Sequence, residues 1–152
     1  IYLPMVPEAI VAMLACARIG AVHSVVFGGF SSEALRDRMN DAGAKVLLTA
    51  DAGWRKGARV PLLENVRKVE DEMRTLERIV VHRRMPEPLM LRGREVAWES
   101  LVRAHPATCE PTWVDSEHPL FILYTSGSTG KPKGVLHTTG GYGVNASLTT
   151  RW

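Results

Sequence analysis

The run Tyr124-Thr-Ser-Gly-Ser-Thr-Gly-Lys-Pro-Lys-Gly134 concentrates residue types that bind anions. Gly127, Gly130 and Gly134 let backbone N–H groups approach phosphate oxygens, while Thr125, Ser126, Ser128 and Thr129 add hydroxyl donors. Lys131 and Lys133 supply compensating charge. The apolar stretch Leu120 to Tyr124 reads as a buried strand that delivers the chain into this run. The pattern differs from the nucleoside-triphosphatase loop Gly-x-x-x-x-Gly-Lys-Ser/Thr. Thr125 stands where that loop's first glycine belongs, and Pro132 replaces the hydroxyl that would hold magnesium. Pro132 also lacks an N–H and restrains Lys131 towards extended backbone. The expectation is a phosphate-binding loop that enters another strand near Val135, and a P-loop phosphohydrolase is disfavoured.

Other reactive side chains are sparser. His23 interrupts an apolar stretch and reads as a satisfied interior histidine; His137 fits a scaffold and a site wall equally well. Cys16 lies inside an apolar helical pattern and reads as core packing, with Cys109 far away near Pro111. The two have neither metal-ligand spacing nor a disulfide framework, which fits a reducing compartment.

The elements that must position these residues follow from periodicity and punctuation. A chain of 152 residues, 45% apolar and 23% charged, is the size of one globular domain with a real core. Its formal charge of +3 is spread among interspersed signs, so no basic stripe tracks a nucleic acid. The apolar region from Ala9 to Phe30 is broken by Arg18, Gly20, His23 and Ser24 into helix, glycine stop and strand. No membrane span and no signal peptide are expected, and a cytoplasmic location follows by default. The start at Ile1 and an end inside a helical pattern make the chain an expected piece of a larger protein.

Pro7 and Glu8 suit a first helical turn, and Ile10, Met13, Leu14 and Ala17 form an apolar face, predicting a helix near 7–19. Ala21 to Phe27 is a predicted buried strand ended by Gly28-Gly29. Ser31 or Ser32 caps a second helix stopped by Gly43, and Lys45 to Ala50 is the next strand. That alternation predicts parallel strands joined by right-handed crossovers. A charged helix over Leu62 to Leu76, a strand over Arg78 to His82, a loop from Met85 to Arg94 and a short helix over Val96 to Ala104 follow. Cys109 to Pro119 reads as an exposed connection. The expected fold class is a layered α/β domain without internal repeats.

The stretch Tyr124 to Val135 resembles the signature loop of the adenylate-forming superfamily, which includes the acyl-CoA synthetases. Its continuation, Leu136-His-Thr-Thr-Gly-Gly-Tyr142, places a histidine two residues after Val135, an order similar to that of the acetyl-CoA synthetase group. Met5-Val-Pro-Glu8, Met13 to Ser31 and Pro119 to Tyr124 resemble the same group. The resemblance covers nearly the whole chain and is weakest from Leu62 to Trp113.

The resemblance implies a mostly parallel sheet with flanking helices, part of the large N-terminal AMP-binding domain over residues 1–152, with the C-terminal domain absent. It implies ATP-dependent activation of acetate to acetyl-adenylate and transfer to CoA, giving acetyl-CoA, AMP and pyrophosphate. Propionyl- or other short-chain acyl-CoA synthetases, acetoacetyl among them, and a non-catalytic ATP- or CoA-binding module are the alternatives. The implied partners are small molecules: acetate, ATP with Mg2+, and CoA, with no nucleic acid or membrane. Thr125, Ser126, Gly127, Ser128, Thr129, Gly130, Lys131, Lys133 and Gly134 would surround the ATP phosphates, with Lys133 and Thr125 as catalytic candidates. Gly53-Trp-Arg-Lys-Gly-Ala-Arg59 resembles the family's CoA-binding turn, so Arg55, Lys56, Gly57 and Ala58 are CoA candidates. Ala58 stands where the family often has a second arginine, and Arg59 comes one place later. An exposed turn with solvated charges is the other reading of this stretch. Gly28, with Gly29 and Phe30, either contacts CoA or forms a tight strand-to-helix turn. The acyl pocket and the magnesium ligands are expected beyond Trp152.

Overall fold

The structure is a computed structural model that describes residues 1–125 and 132–151. Its element order is α1 (Pro7–Arg18), β1 (His23–Ser24), α2 (Ser32–Asp41), β2 (Val46–Ala50), β3 (Gly53–Arg55), β4 (Ala58–Val60), α3 (Leu62–Arg67), a 3-10 turn (Glu70–Glu72), β5 (Arg78–His82), β6 (Glu95–Ala97), α4 (Trp98–Ala104), β7 (Pro119–Thr125), β8 (Lys133–Thr138) and α5 (Thr139–Thr149). The chain forms two compact units, Ile1–Ala12 with Val26–Cys109, and Met13–Val25 with Glu110–Trp152.

In the first unit β2, β5 and β6 form a parallel sheet in that order, with Val46 opposite Arg78 and Ile79 opposite Glu95. Leu47, Ile79 and Val81 are fully buried and join Tyr2, Leu35, Leu62 and Val66 in one core. Helix α2 begins as expected: the Ser31 hydroxyl accepts the Ala34 N–H at 3.2 Å, which settles the cap on Ser31 rather than Ser32. Asp51, immediately after β2, is a junction. Its carboxylate accepts the N–H groups of Ala52 at 2.7 Å, Arg84 at 3.0 Å and Met85 at 2.9 Å.

Several expectations are corrected here. The predicted long helix over 62–76 ends at Arg67 and resumes only as the 3-10 turn. Asn40 of α2 takes over the backbone groups a continuous helix would use, donating to Glu72 O at 2.9 Å and accepting from Arg74 N at 2.9 Å. Val96 and Ala97 belong to β6 rather than to a helix, because they pair beside Val80 and Val81. The segments 21–27 and 45–50, expected to give parallel strands joined by a right-handed crossover, contribute to different sheets, β1 beside β7 and β2 beside β5. Within α1 only Ala12 is buried; Ile10 and Leu14 of its predicted apolar face remain mostly exposed.

Arg67 and Glu95 tie α3 to β6. The guanidinium bonds both carboxylate oxygens at 2.7 Å, and the Glu95 side chain is fully buried. Burial pushes the Glu95 carboxyl up, yet the Arg67 guanidinium and the Arg92 N–H outweigh it and hold the group below the usual carboxylate range. A depressed carboxyl contributes stability above its unfolded value, and that stability is lost as pH falls through the folded one.

In the second unit β7 runs parallel to β1, with His23 opposite Phe121, and antiparallel to β8. β1 has two residues instead of the expected seven-residue strand, and it pairs only at His23 and Ser24. β7 is half-exposed along its length, although its apolar sequence predicted full burial. Thr138 caps α5 through its hydroxyl, which accepts the Gly141 N–H at 3.3 Å. His118 donates from Nε2 to Gly20 O at 2.9 Å, and its own carbonyl accepts Thr139 N at 2.9 Å.

Two outcomes test these packings. Glu95→Ala, which leaves the Arg67 guanidinium with only Glu64 and the Met90 carbonyl as partners, is expected to cost about 1–3 kcal/mol in denaturant unfolding of the full-length protein. The double change Arg67→Met with Glu95→Leu should recover most of that loss. His23 provides the second test, because burial lowers its pKa and its Nδ1 has no hydrogen-bond partner among the described residues. The unfolded chain then binds the proton more readily, so stability is fully present above the ordinary value of 6.5 and falls as pH drops below it. Thermal midpoints measured between about pH 7.5 and about pH 5.5 should fall less steeply in His23→Asn.

Candidate functional site

The candidate anion-binding run is flanked by the antiparallel strands β7 and β8. Tyr124 is opposite Gly134 and Thr125 is opposite Lys133, so the two ends of the run are brought side by side. Thr125 and Lys133 are exposed. Ser126, Gly127, Ser128, Thr129, Gly130 and Lys131 lie outside the described residues. The strand–loop–strand framework agrees with the expected entry into a strand near Val135 and differs from the strand–loop–helix of a P-loop. Gly134 has a packing role in addition to any ligand role. A Cβ there would lie 3.1 Å from Ile122 Cγ2 and 3.2 Å from the Tyr124 ring. The tyrosine therefore lies across the strand on a position without a side chain.

His137 belongs to the scaffold beneath this hairpin. Its ring stacks on Phe121 at 4.5 Å, and Tyr142 meets the same Phe121 edge-on at 5.1 Å. His23 joins the group at 5.7 Å from Phe121, but among the described residues its Nδ1 has no partner, unlike the satisfied interior histidine expected.

In the first unit the basic turn is a β-hairpin. β3 and β4 pair with Gly53 opposite Val60, Trp54 opposite Arg59 and Arg55 opposite Ala58. Lys56 and Gly57 connect them at φ 50° and 76°, the left-handed pair that matches the twist of a two-residue hairpin. Because side chains alternate across a strand, Arg55 and Ala58 share one face while Trp54 and Arg59 share the other. The displaced arginine is thereby turned away: Arg59 pairs with Glu87 at 3.5 Å.

Arg55 lies instead against the glycine turn after β1. Its guanidinium carbon is 4.9 Å from the centre of the Phe27 ring, a cation–π contact. A Cβ on Gly29 would sit 2.1 Å from Arg55 Nη1 and 2.6 Å from Phe27 Cε1, so only glycine admits this approach. The buried Tyr2 hydroxyl donates to Gly28 O at 3.4 Å and Phe30 O at 3.3 Å, holding the turn from beneath. Phe30 meets Phe27 edge-on at 5.8 Å, and Arg38 lies 4.4 Å above the Phe30 ring. Gly28 is half-buried against Leu62, whereas Arg55, Lys56, Gly57 and Ala58 are exposed.

The structure thus unites two stretches that were separate in the sequence reading, Gly28–Phe30 and Arg55–Ala58. It adds Phe27 and Tyr2, which that reading missed; an aromatic residue directly before Gly28-Gly29 was the available signal. A guanidinium held over an aromatic ring beside an exposed hairpin can receive a phosphate oxygen bidentately or a planar base by stacking. Among the described residues no cluster of His, Cys, Asp or Glu has the makings of a metal site.

Residues 1–151 match the family described as "AMP-binding enzyme". The acetyl-coenzyme A synthetase of Pasteurella multocida is 57% identical over 96% of this chain and 23% of its own length. That of Laribacter hongkongensis is 53% identical over the whole chain and 24% of its own length. Among solved structures, an acetoacetyl-CoA synthetase from Streptomyces lividans superposes with a TM-score of 0.85 at 30% identity, covering 95% of this chain and 22% of that one. The chain spans about a quarter of the length of the relatives it matches. With a family match along essentially its full length and a shared fold at 30% identity, the chain belongs to the AMP-binding enzymes, the adenylate-forming acyl-CoA synthetase family.

Proposed function

We propose that this chain is part of the large N-terminal domain of an AMP-forming acetate–CoA ligase. The observation that carries the reading is the antiparallel pair β7–β8, which sets Thr125 opposite Lys133 at the two ends of a run rich in glycine, hydroxyl and lysine residues. The names of the relatives at 53% and 57% identity supply acetate as the acid. In the first step a carboxylate oxygen of acetate attacks the α-phosphorus of ATP, and pyrophosphate leaves. In the second the CoA thiolate attacks the acyl carbonyl, and AMP leaves. Loop amides and hydroxyls from Thr125 to Gly134 hold the phosphates; Lys133 neutralises charge gathering on the departing pyrophosphate. Magnesium, when bound with ATP, would further neutralise the phosphates.

The Arg55 hairpin and the Gly28 turn receive the phosphates of CoA. Arg55 is the strongest candidate because its guanidinium is held by Phe27 and Gly29 before any ligand arrives. No helix among the described residues is long and apolar enough to cross a membrane, and the cytoplasm, where ATP and CoA are available, is the proposed location. The acetoacetyl-CoA synthetase likeness favours one second reading, the same chemistry on another short acid.

Carboxylate-dependent ATP–pyrophosphate exchange by the full-length protein tests the reading. Exchange should be strongest with acetate among acetate, propionate, butyrate and acetoacetate. Preference for another acid would keep the mechanism and change the substrate, whereas ATP binding without exchange would mark a non-catalytic module. Lys133→Ala should slow exchange by about a hundredfold or more with little change in thermal midpoint. For CoA, Arg55→Ala should raise KM by about tenfold. Ala58→Arg, which places a second guanidinium on the same hairpin face, should lower it. A CoA KM indifferent to Arg55→Ala would return this hairpin to a solvated surface turn.

A further inference from the structure

A second basic surface lies on the first unit, apart from the hairpin face that carries Arg55. Residues 83–94 form no regular element, yet they are fixed along their length. Asp51 holds the N–H groups of Arg84 and Met85, and the Arg83 guanidinium donates to Met85 O at 3.2 Å and Pro86 O at 2.6 Å. Further on, Arg67 donates to Met90 O at 2.8 Å, and Glu95 accepts Arg92 N at 3.0 Å. Arg59 reaches the same segment through Glu87. The segment is therefore held in place before any ligand binds.

Between it and α4 lies an open groove of about 750 Å³. Arg83, Arg84 and Arg103 line it together with one acid, Glu99. That acid is already engaged: its Oε1 accepts Arg83 N at 3.3 Å and lies 3.0 Å from His82 Nδ1. Three guanidinium charges thus face a single, internally bonded carboxylate. Met85, Leu89 and Leu91 give the groove an apolar side as well. The volume falls within the range of about 300–1,000 Å³ typical of small-molecule sites.

We infer that this groove binds a small amphipathic anion, a phosphate or carboxylate carried on an apolar body. Arg84 and Arg103 hold the anionic group, and Met85, Leu89 and Leu91 cover the apolar part. Arg83 acts differently, since its donors to Met85 O and Pro86 O shape the wall while its charge adds to the positive potential. None of these residues belongs to the Thr125–Gly134 run or to the Arg55 hairpin, so the inference stands whether or not the acetate reading does.

Isothermal titration of the full-length protein with phenyl phosphate, inorganic phosphate and phenol tests it. Phenyl phosphate is expected to bind at least about tenfold more tightly than either half alone, and more weakly as salt rises. The double variant Arg84→Ala with Arg103→Ala should lose about tenfold or more in that affinity. Lys45→Ala, at an exposed pair with Glu77, should leave it unchanged. An unaltered thermal midpoint establishes that the double variant is folded; if it does not fold, Leu91→Ser, at an exposed position, takes its place. No phenyl phosphate binding to folded protein, or undiminished binding in the folded variant, overturns the inference. So does equal affinity for inorganic phosphate, or preference for an acidic peptide such as polyglutamate.

Discussion

The carboxylate of Asp51 gathers the N–H groups of Ala52, Arg84 and Met85, and its own backbone bonds His82 O and Leu63 N. Ala52 leads into the hairpin that carries Arg55. Arg84 and Met85 open the segment that lines the basic groove, and Leu63 lies in the helix that delivers Arg67. One residue just after β2, through its carboxylate and its backbone carbonyl, therefore touches the start of three segments. Each N–H stranded by its loss would cost about 1–3 kcal/mol where water cannot replace the carboxylate. Both basic surfaces of the first unit begin at this junction.

Charge in that unit is organised by pairing and by stacking. The Glu95 carboxylate is buried because Arg67 meets it with two donors; Arg38 and Arg55 are held against the rings of Phe30 and Phe27. A guanidinium keeps its charge while its flat face rests on apolar surface. The arrangement leaves the Arg55 edge available without leaving the side chain free to wander.

Local signals were legible wherever the deciding partner was near in sequence. Ser31 capped α2, Pro7 opened α1, and Pro132 forecast β8 rather than a helix. They failed where the partner was remote. Nothing inside residues 62–76 reveals that Asn40 takes Glu72 O and Arg74 N, and nothing near Val96 announces a place beside Val80. The apolar faces of α1 and β7 were read as buried because hydrophobicity predicts the need for cover, while cover itself is a property of neighbours. The candidate phosphate loop was visible from composition alone. The Arg55 platform was visible only as two separate fragments, since the contact joining them has no local periodicity. The displacement of Arg59 by one residue was legible, and the pleat of β4 gives it physical meaning: one step along a strand moves a side chain to the opposite face.

The closeness of Arg55 to Gly29 makes these two positions answer to one another in evolution. A methyl group at residue 29 would occupy space that the guanidinium already fills, so alanine there is compatible only with a shorter or redirected side chain at residue 55. Lineages that relinquish the arginine are released from the glycine, and those that keep the arginine in its place against Phe27 are bound to it. Covariation between residues 29 and 55 would thus record steric exclusion as well as charge, and Phe27, which flanks both, would vary with them.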